Sequence, residues 1–201
     1  MDQDAAKKAA GTYAAGLVDS HMRIGLGTGS TTAYALEAIG RRVREDGLRV
    51  EGVPTSYAAE RLARRYGIPL TSLDDGPHLD LALDGADEVS PDLDLIKGRG
   101  AAHSREKVVA AQAERFVVLA DPTKQVSRLG TSKPVPVEVL PMAASAVLDR
   151  LESLGAVPTL RMGQAKDGPV VTDQGFWVVD AAFEDGLDAA GVVANALDGC
   201  P

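Results

Sequence analysis

Leu79-Asp80-Leu81-Ala82-Leu83 runs directly into Asp84-Gly85-Ala86-Asp87-Glu88, and the junction between the two stretches decides the fold. An apolar run of this length, broken only by Asp80, reads as a short buried strand. Asp84 then stands at the strand's carboxyl end, where open α/β sheets hold their ligands. Downstream comes Lys97-Gly98-Arg99-Gly100-Ala101, a glycine turn able to bring backbone N–H groups close to a ligand. Arg105-Glu106-Lys107 follows at a predicted helix start. Carboxylates with a cation beside them, at the mouth of a sheet, make an acid/base site.

A second feature lies upstream. Arg23-Ile24-Gly25-Leu26 reads as a strand, followed by Gly27-Thr28-Gly29-Ser30-Thr31-Thr32 and a helical run from Ala33 to Glu45. Strand, glycine turn, hydroxyl cluster and helix N-terminus together form an anion cradle, because unpaired N–H groups and the helix dipole attract phosphate. The turn lacks the Gly-Lys-Ser/Thr of a Walker loop, and Thr32 occupies the third glycine position of a dinucleotide fingerprint. Alone it reads equally as a capped βα turn without a ligand.

Working outward, the chain alternates. A first helix, capped by Asp2 or Asp4, carries Ala6, Ala9, Ala10, Tyr13, Ala14 and Leu17 at helical spacing. A strand is expected near Leu48 to Val53, then a helix from Tyr57 to Tyr66 stopped by Gly67. Short strands near Leu70 and Leu79 precede the glycine turn, and a helix from His103 to Ala113 follows it. Phe116 to Ala120 reads as the clearest buried strand, with Asp121 and Lys124 beyond. Repeated β-α units imply a Rossmann-like parallel sheet with helices on both faces, over residues 1–130. Gly27, Asp84, Gly98 and Lys124 all fall on loops expected at one edge of that sheet.

After Gly130 the pattern changes. Pro134 to Val139 reads as a strand, and Ala146, Leu148, Leu151 and Leu154 mark an amphipathic helix closed by Gly155. Extended segments follow near Pro158 to Met162 and as a hairpin around Asp173-Gln174-Gly175, with Phe176 and Trp177 in its core. A last helix is expected from Leu187 to Leu197. The order β-α-β-β-α predicts a small ferredoxin-like α+β domain over residues 131–201, lacking its last strand. An unpaired edge is usually avoided, so a shortened reading frame or an edge covered by a partner is the expectation.

Composition bounds the rest. The chain has 201 residues, 45% of them apolar, enough for a substantial core. A net charge of −8 and no long basic block disfavour nucleic-acid binding. The clusters Arg41-Arg42-x-Arg44 and Arg61 to Arg65 fall on helical patterns and read as solvated faces. The one cysteine, Cys200, excludes an intrachain disulfide and a cysteine-pair zinc site. No apolar run reaches spanning length and no signal core is present, so a cytoplasmic protein without membrane partners is expected.

Gly27-Thr28-Gly29-Ser30-Thr31, Asp84-Gly85-Ala86-Asp87-Glu88, Lys97-Gly98-x-Gly100-Ala101, Arg105-Glu106-Lys107 and Pro136-Val137-Glu138-Val139 stand in the order seen in type A ribose-5-phosphate isomerases. The chain resembles that family from Met1 to about Leu197. The resemblance implies interconversion of ribose 5-phosphate and ribulose 5-phosphate with no metal or organic cofactor, in a homodimer or homotetramer. It implies that Glu106 moves a proton between C2 and C1, that Lys97 stabilises the developing negative oxygen, and that Asp84 and Asp87 bind sugar hydroxyls and assist ring opening. By the same likeness Thr28, Gly29, Ser30, Thr31 and Lys124 contact the substrate, with its phosphate on Ser30, Thr31 and Lys124. Gly85, Ala86, Gly98, Arg99 and Gly100 would line the sugar.

The residue types suit that chemistry independently. Removing a proton α to a carbonyl needs a tuned base, and the enolate oxygen needs positive charge or donors where it forms. Two other classes are weighed: a non-catalytic sugar-phosphate sensor, favoured by a lost base, and a CoA-transferase-like enzyme, which needs a larger acyl site. Arg99 departs from the family's usual glycine, which leaves three readings open: a strained backbone with φ > 0, a side chain that points to solvent, or an added contact to the phosphosugar. Family members also continue past Pro201 with further segments.

Overall fold

Cα packing divides the chain of the computed structural model into two units. One takes the chain up to Ala86 and again from Ala102 to Thr123; the other takes Asp87–Ala101 and the chain from Lys124 onward. Residues 2–187 and 190–198 are described. The expected division fell at residue 130, with 87–101 in the first domain. None of the described helices is long and apolar enough to cross a membrane.

The first unit is built in the order α1 (Gln3–Ala15), β1 (Arg23–Leu26), α2 (Ser30–Glu45), β2 (Glu51–Pro54), α3 (Tyr57–Tyr66) and β3 (Leu79–Gly85). The chain leaves this unit for β4 (Glu88–Val89) and β5 (Leu95–Ile96), then returns with α4 (His103–Ala111) and β6 (Ala113–Leu119). Its sheet is wholly parallel, in the order β2-β1-β3-β6. Strand alternation sends Ile24, Leu26, Leu81 and Leu83 into the core shared with α1 and α2. Ala82 packs instead with Val53, Leu79 and the Val109 of α4. Leu81 and Leu83 are almost wholly buried, each worth about 2 kcal/mol relative to exposure.

Local signals set several boundaries. The Ser56 hydroxyl caps α3 by accepting the Ala59 N–H at 3.0 Å, and Gly67, at φ 74°, stops it. Asp2 occupies the N-cap of α1 but makes no side-chain cap bond. Asp4 instead accepts the Tyr34 hydroxyl at 2.7 Å, tying α1 to α2. That bond raises the Tyr34 pKa, since ionisation would end the donation and oppose two negative charges.

Three expectations are corrected. Residues 116–120 do not form the clearest buried strand. Among the described residues β6 lies at the sheet edge and pairs with β3 alone, and Phe116 is 37% exposed. The strand expected near Leu70 reduces to a single bridge with Gly52. Arg42 and Arg44 are more than a solvated face. Arg42 donates to the carbonyls of Ala15 and Val18, and Arg44 to that of Tyr66, so both satisfy carbonyls at the ends of neighbouring helices.

The second unit centres on β7 (Val135–Val139), α5 (Ala144–Ser153), β8 (Val157–Leu160) and β9 (Trp177–Ala182). Its sheet is antiparallel in the order β7-β9-β8, the split arrangement expected of a ferredoxin-like fold. Val139, Val147, Leu151, Val179 and Ala181 form its core, with Trp177 packed against them. The turn before β9 closes with the Thr172 N–H on the Phe176 carbonyl at 2.8 Å. The last helix, α6, runs Ala190–Asp198; the Asp188 and Ala189 of its expected span, and Cys200, lie outside the described residues.

Candidate active site

Gly27 ends β1 against the neighbouring strand. A Cβ there would lie 2.3 Å from Asp84 Oδ1 and 2.4 Å from the Leu83 carbonyl oxygen, so only glycine fits. The Asp84 carboxylate, 3% exposed, accepts the Thr28 N–H at 3.0 Å and the Gly85 N–H at 2.8 Å through that same oxygen. Asp84 thus locks the β1–α2 turn to the end of β3. Gly29 follows at φ 127°, a backbone state open to glycine, and delivers the chain into α2. The first N–H groups of α2 have no preceding turn to bond, and Ser30 is exposed beside them while Thr31 is buried. This is the geometry of an anion cradle.

Glu106 sits in the first turn of α4 and is only 5% exposed. At the far end of the same helix, the Gln112 carbonyl accepts the Leu79 N–H at 3.0 Å, where β3 begins. The N-terminus of α4, and Glu106 with it, therefore points toward the carboxyl edge of the sheet. The preceding Arg105 donates to the Pro54 carbonyl at 3.1 Å and lies 5.5 Å over the Tyr57 ring. His103 is the first residue of the helix.

The first unit thus holds Thr28, Gly29, Ser30, Thr31, Asp84, Gly85, Ala86 and Glu106. The second holds Asp87, Lys97, Gly98, Arg99, Gly100 and Lys124, so the division between units passes through the Asp84 to Glu88 stretch itself. Within the second unit, Asp87 donates its N–H to the Ile96 carbonyl at 2.8 Å and accepts the Arg99 N–H at 2.9 Å. Gly98, at φ 97°, turns the chain, and the Ala101 N–H closes the turn on the Gly98 carbonyl at 2.9 Å. Lys97 is half-buried at the start of that loop, and Lys124 half-buried at the end of a 3₁₀ turn.

Of the readings left open for Arg99, strain is not the one the structure takes, because the positive φ falls on Gly98 and on Ala101 at 58°. Arg99 keeps ordinary backbone angles and is exposed, with its Nε 3.6 Å from Asp87 Oδ1.

The family model described as ribose 5-phosphate isomerase A (phosphoriboisomerase A) matches residues 51–201. The chain belongs to the ribose 5-phosphate isomerase A family. A ribose-5-phosphate isomerase A of Thermosynechococcus vestitus is 51% identical over 211 residues, 98% of this chain and 89% of the relative. That of Haloarcula marismortui is 56% identical over 192 residues, 96% and 82% of the two chains. The solved ribose 5-phosphate isomerase A of Methanocaldococcus jannaschii superposes with a TM-score of 0.95 at 41% identity, covering all of this chain and 88% of that one. A D-ribose-5-phosphate isomerase in complex with phospho-erythronic acid also reaches 0.95, at 44% identity, covering 98% and 86%.

In this member of the ribose 5-phosphate isomerase A family, two features of the site escaped the sequence. Thr28 Oγ1 lies 2.8 Å from Thr55 Oγ1 and 2.7 Å from Ser56 Oγ, and Thr55 Oγ1 donates to the Leu26 carbonyl at 3.2 Å. One consistent direction of donation is Ser56 to Thr28 to Thr55 to Leu26, which braces the glycine turn from inside. The signal was there to find: Thr55-Ser56 repeats, after β2, the strand–hydroxyl–helix pattern noted after β1. Ser56→Ala removes the α3 cap and one end of this chain. The expected cost is about 1–2 kcal/mol of stability, read by denaturant unfolding, and an unchanged midpoint would count against the brace.

The other feature is Glu88, wholly buried, which accepts the Gly130 and Ser132 N–H groups at 2.6 and 2.8 Å and the Ser132 hydroxyl at 2.6 Å. Three charge-assisted bonds make it a staple for the loop before β7 rather than part of the chemistry.

Proposed function

We propose that this chain interconverts D-ribose 5-phosphate and D-ribulose 5-phosphate through a cis-enediolate, as a step of sugar-phosphate metabolism. The observation that carries the reading is Glu106, a carboxylate buried in the first turn of a helix at the carboxyl edge of the sheet. The relatives' names and the phosphorylated sugar acid held by one solved structure support it. With the base in place, nothing favours the sensor reading.

In the aldose-to-ketose direction, Glu106 takes the proton from C2 and the electron pair flows to the carbonyl, leaving negative charge on O1. The Lys97 ammonium opposes that charge as it forms. O1 gains a proton while the hydroxyl at C2 gives one up, and Glu106 returns its proton to C1 to complete the ketose. Asp84 and Asp87 accept sugar hydroxyls and assist ring opening, and the Gly98 to Gly100 backbone lines the sugar. The glycine turn and α2 N-terminus, with Ser30, Thr31 and Lys124, hold the phosphate. The homodimer or homotetramer implied by the resemblance, and the cytoplasmic address expected from the sequence, belong to the same reading.

The test is turnover of ribose 5-phosphate by the purified chain with EDTA present. Formation of ribulose 5-phosphate at an undiminished rate is the expected result; a folded chain that forms none overturns the reading. Lys124→Ala should raise KM for ribose 5-phosphate about 10- to 100-fold with kcat little changed, as expected for a lost charge-assisted contact. An equal loss for unphosphorylated ribose would remove Lys124 from the phosphate site.

A further inference from the structure

Arg161 lies just beyond β8 in the second unit, and its side chain is committed in two directions. Its Nε and Nη2 donate to Asp180 Oδ2 and Oδ1 at 2.7 and 2.5 Å, a bidentate pair. Its Nη1 donates to the Arg99 carbonyl at 2.8 Å. Both side chains of the pair are largely covered, at 19% and 20% exposure. Asp180 is fixed in the middle strand β9, opposite Pro136 on one side and Thr159 on the other. The backbone of Arg161 is fixed as well: its N–H donates to Val178 and its carbonyl accepts the Val170 N–H, both at 2.8 Å. A guanidinium is a rigid planar fork, so docking two of its donors on Asp180 sets the direction of the third.

That third donor holds the loop that carries Lys97. The two polar groups of Arg99 are gripped from different elements, its N–H by Asp87 and its carbonyl by Arg161. The loop contains a non-glycine residue in the left-handed region, Ala101, a state that persists only when its surroundings impose it.

We propose that Arg161 and Asp180 are positioning residues for the reaction: Asp180 aims the Arg161 fork, and the fork sets the place of the 97–101 loop and so of Lys97. Neither residue touches the substrate in this scheme. The inference rests on the role given above to Lys97. Lys97 opposes charge present only in the transition state, whereas the Gly98 to Gly100 backbone also lines the bound sugar, so loosening the loop should lower kcat by more than it raises KM.

The test pairs kinetics with amide hydrogen exchange of the unliganded full chain, in Asp180→Asn, Arg161→Met and Arg161→Lys. Asp180→Asn and Arg161→Met should lower kcat about 10- to 100-fold, the scale of a misplacement near 1 Å, with a smaller rise in KM from the loosened sugar-lining backbone. The Gly100 and Ala101 amides should exchange faster while those of β7 and β9 do not. Arg161→Lys keeps the charge but not the fork, and should fail to restore kcat. An unchanged kcat in Arg161→Met, unchanged loop exchange, full rescue by lysine, or faster exchange throughout the small sheet would each overturn the proposal. An inactive wild-type chain would instead overturn the isomerase reading and the catalytic half of this one, while the amides still report whether the fork holds the loop.

Discussion

Glu106→Gln should abolish most isomerisation, lowering kcat about 10³- to 10⁴-fold, the upper range for removing a general base. Glutamine keeps the shape and the hydrogen-bonding reach of the carboxylate but cannot accept a proton from carbon. Affinity for ribose 5-phosphate should stay within about tenfold, because the proton moves only on the way to the transition state. Single-turnover kinetics and calorimetric titration of the same variant read both quantities. Near-normal turnover would remove Glu106 from the role of base, and a parallel collapse of binding would recast it as a substrate ligand.

The second large effect is structural. Gly27→Ala should destabilise the chain by about 3 kcal/mol, at the upper end of overpacking costs, and weaken phosphosugar binding with it. The new methyl would meet the Leu83 carbonyl and the Asp84 carboxylate, one of them main chain of an adjacent central strand and the other already bonded to Thr28 and Gly85. Neither can move without opening the β1–β3 ladder or releasing the turn. Gly52→Ala is the internal comparison. Its Cβ would stand 2.4 Å from Leu26 Cδ1, the far end of a flexible side chain, so a rotamer change can relieve it at lower cost. Thermal unfolding of both variants decides the matter: equal losses would mean that the Asp84 carboxylate is not what makes position 27 intolerant.

What was legible in the sequence was whatever local chemistry determines. The α3 helix ran over its expected Tyr57 to Tyr66 because Gly67 and helical spacing act within one turn. Asp84 fell at the end of β3 because an apolar run followed by Asp-Gly admits little else. The order of strands and helices in the small sheet followed from period and turn residues. Burial of β6 was not legible, since Phe116 is apolar in a strand whose outer neighbour is a matter of topology. The partners of Glu88, Arg42 and Arg161 lie far along the chain, and no spacing rule reaches them. Which residue of the Arg99 loop takes the left-handed state was not legible either: it is Ala101, which no glycine marks. The roles of the candidate residues rest on chemistry and family likeness, and the variants above are their test.

The path of the chain has a consequence for its birth on the ribosome. β3, in the interior of the large sheet, waits for β6 as its second neighbour, and residues 87–101 emerge before β6 does. That excursion cannot finish its own unit either, because the strands it belongs with begin at Val135. Holding a 15-residue detour open adds little loop entropy, so the arrangement is cheap once made. Yet it forbids the usual order in which an N-terminal domain is completed before the next is started. Nascent chains stalled short of β6 should therefore expose a half-built sheet to proteases and chaperones, and residues 87–101 should wait, after β6 has completed that sheet, for the strands that begin at Val135.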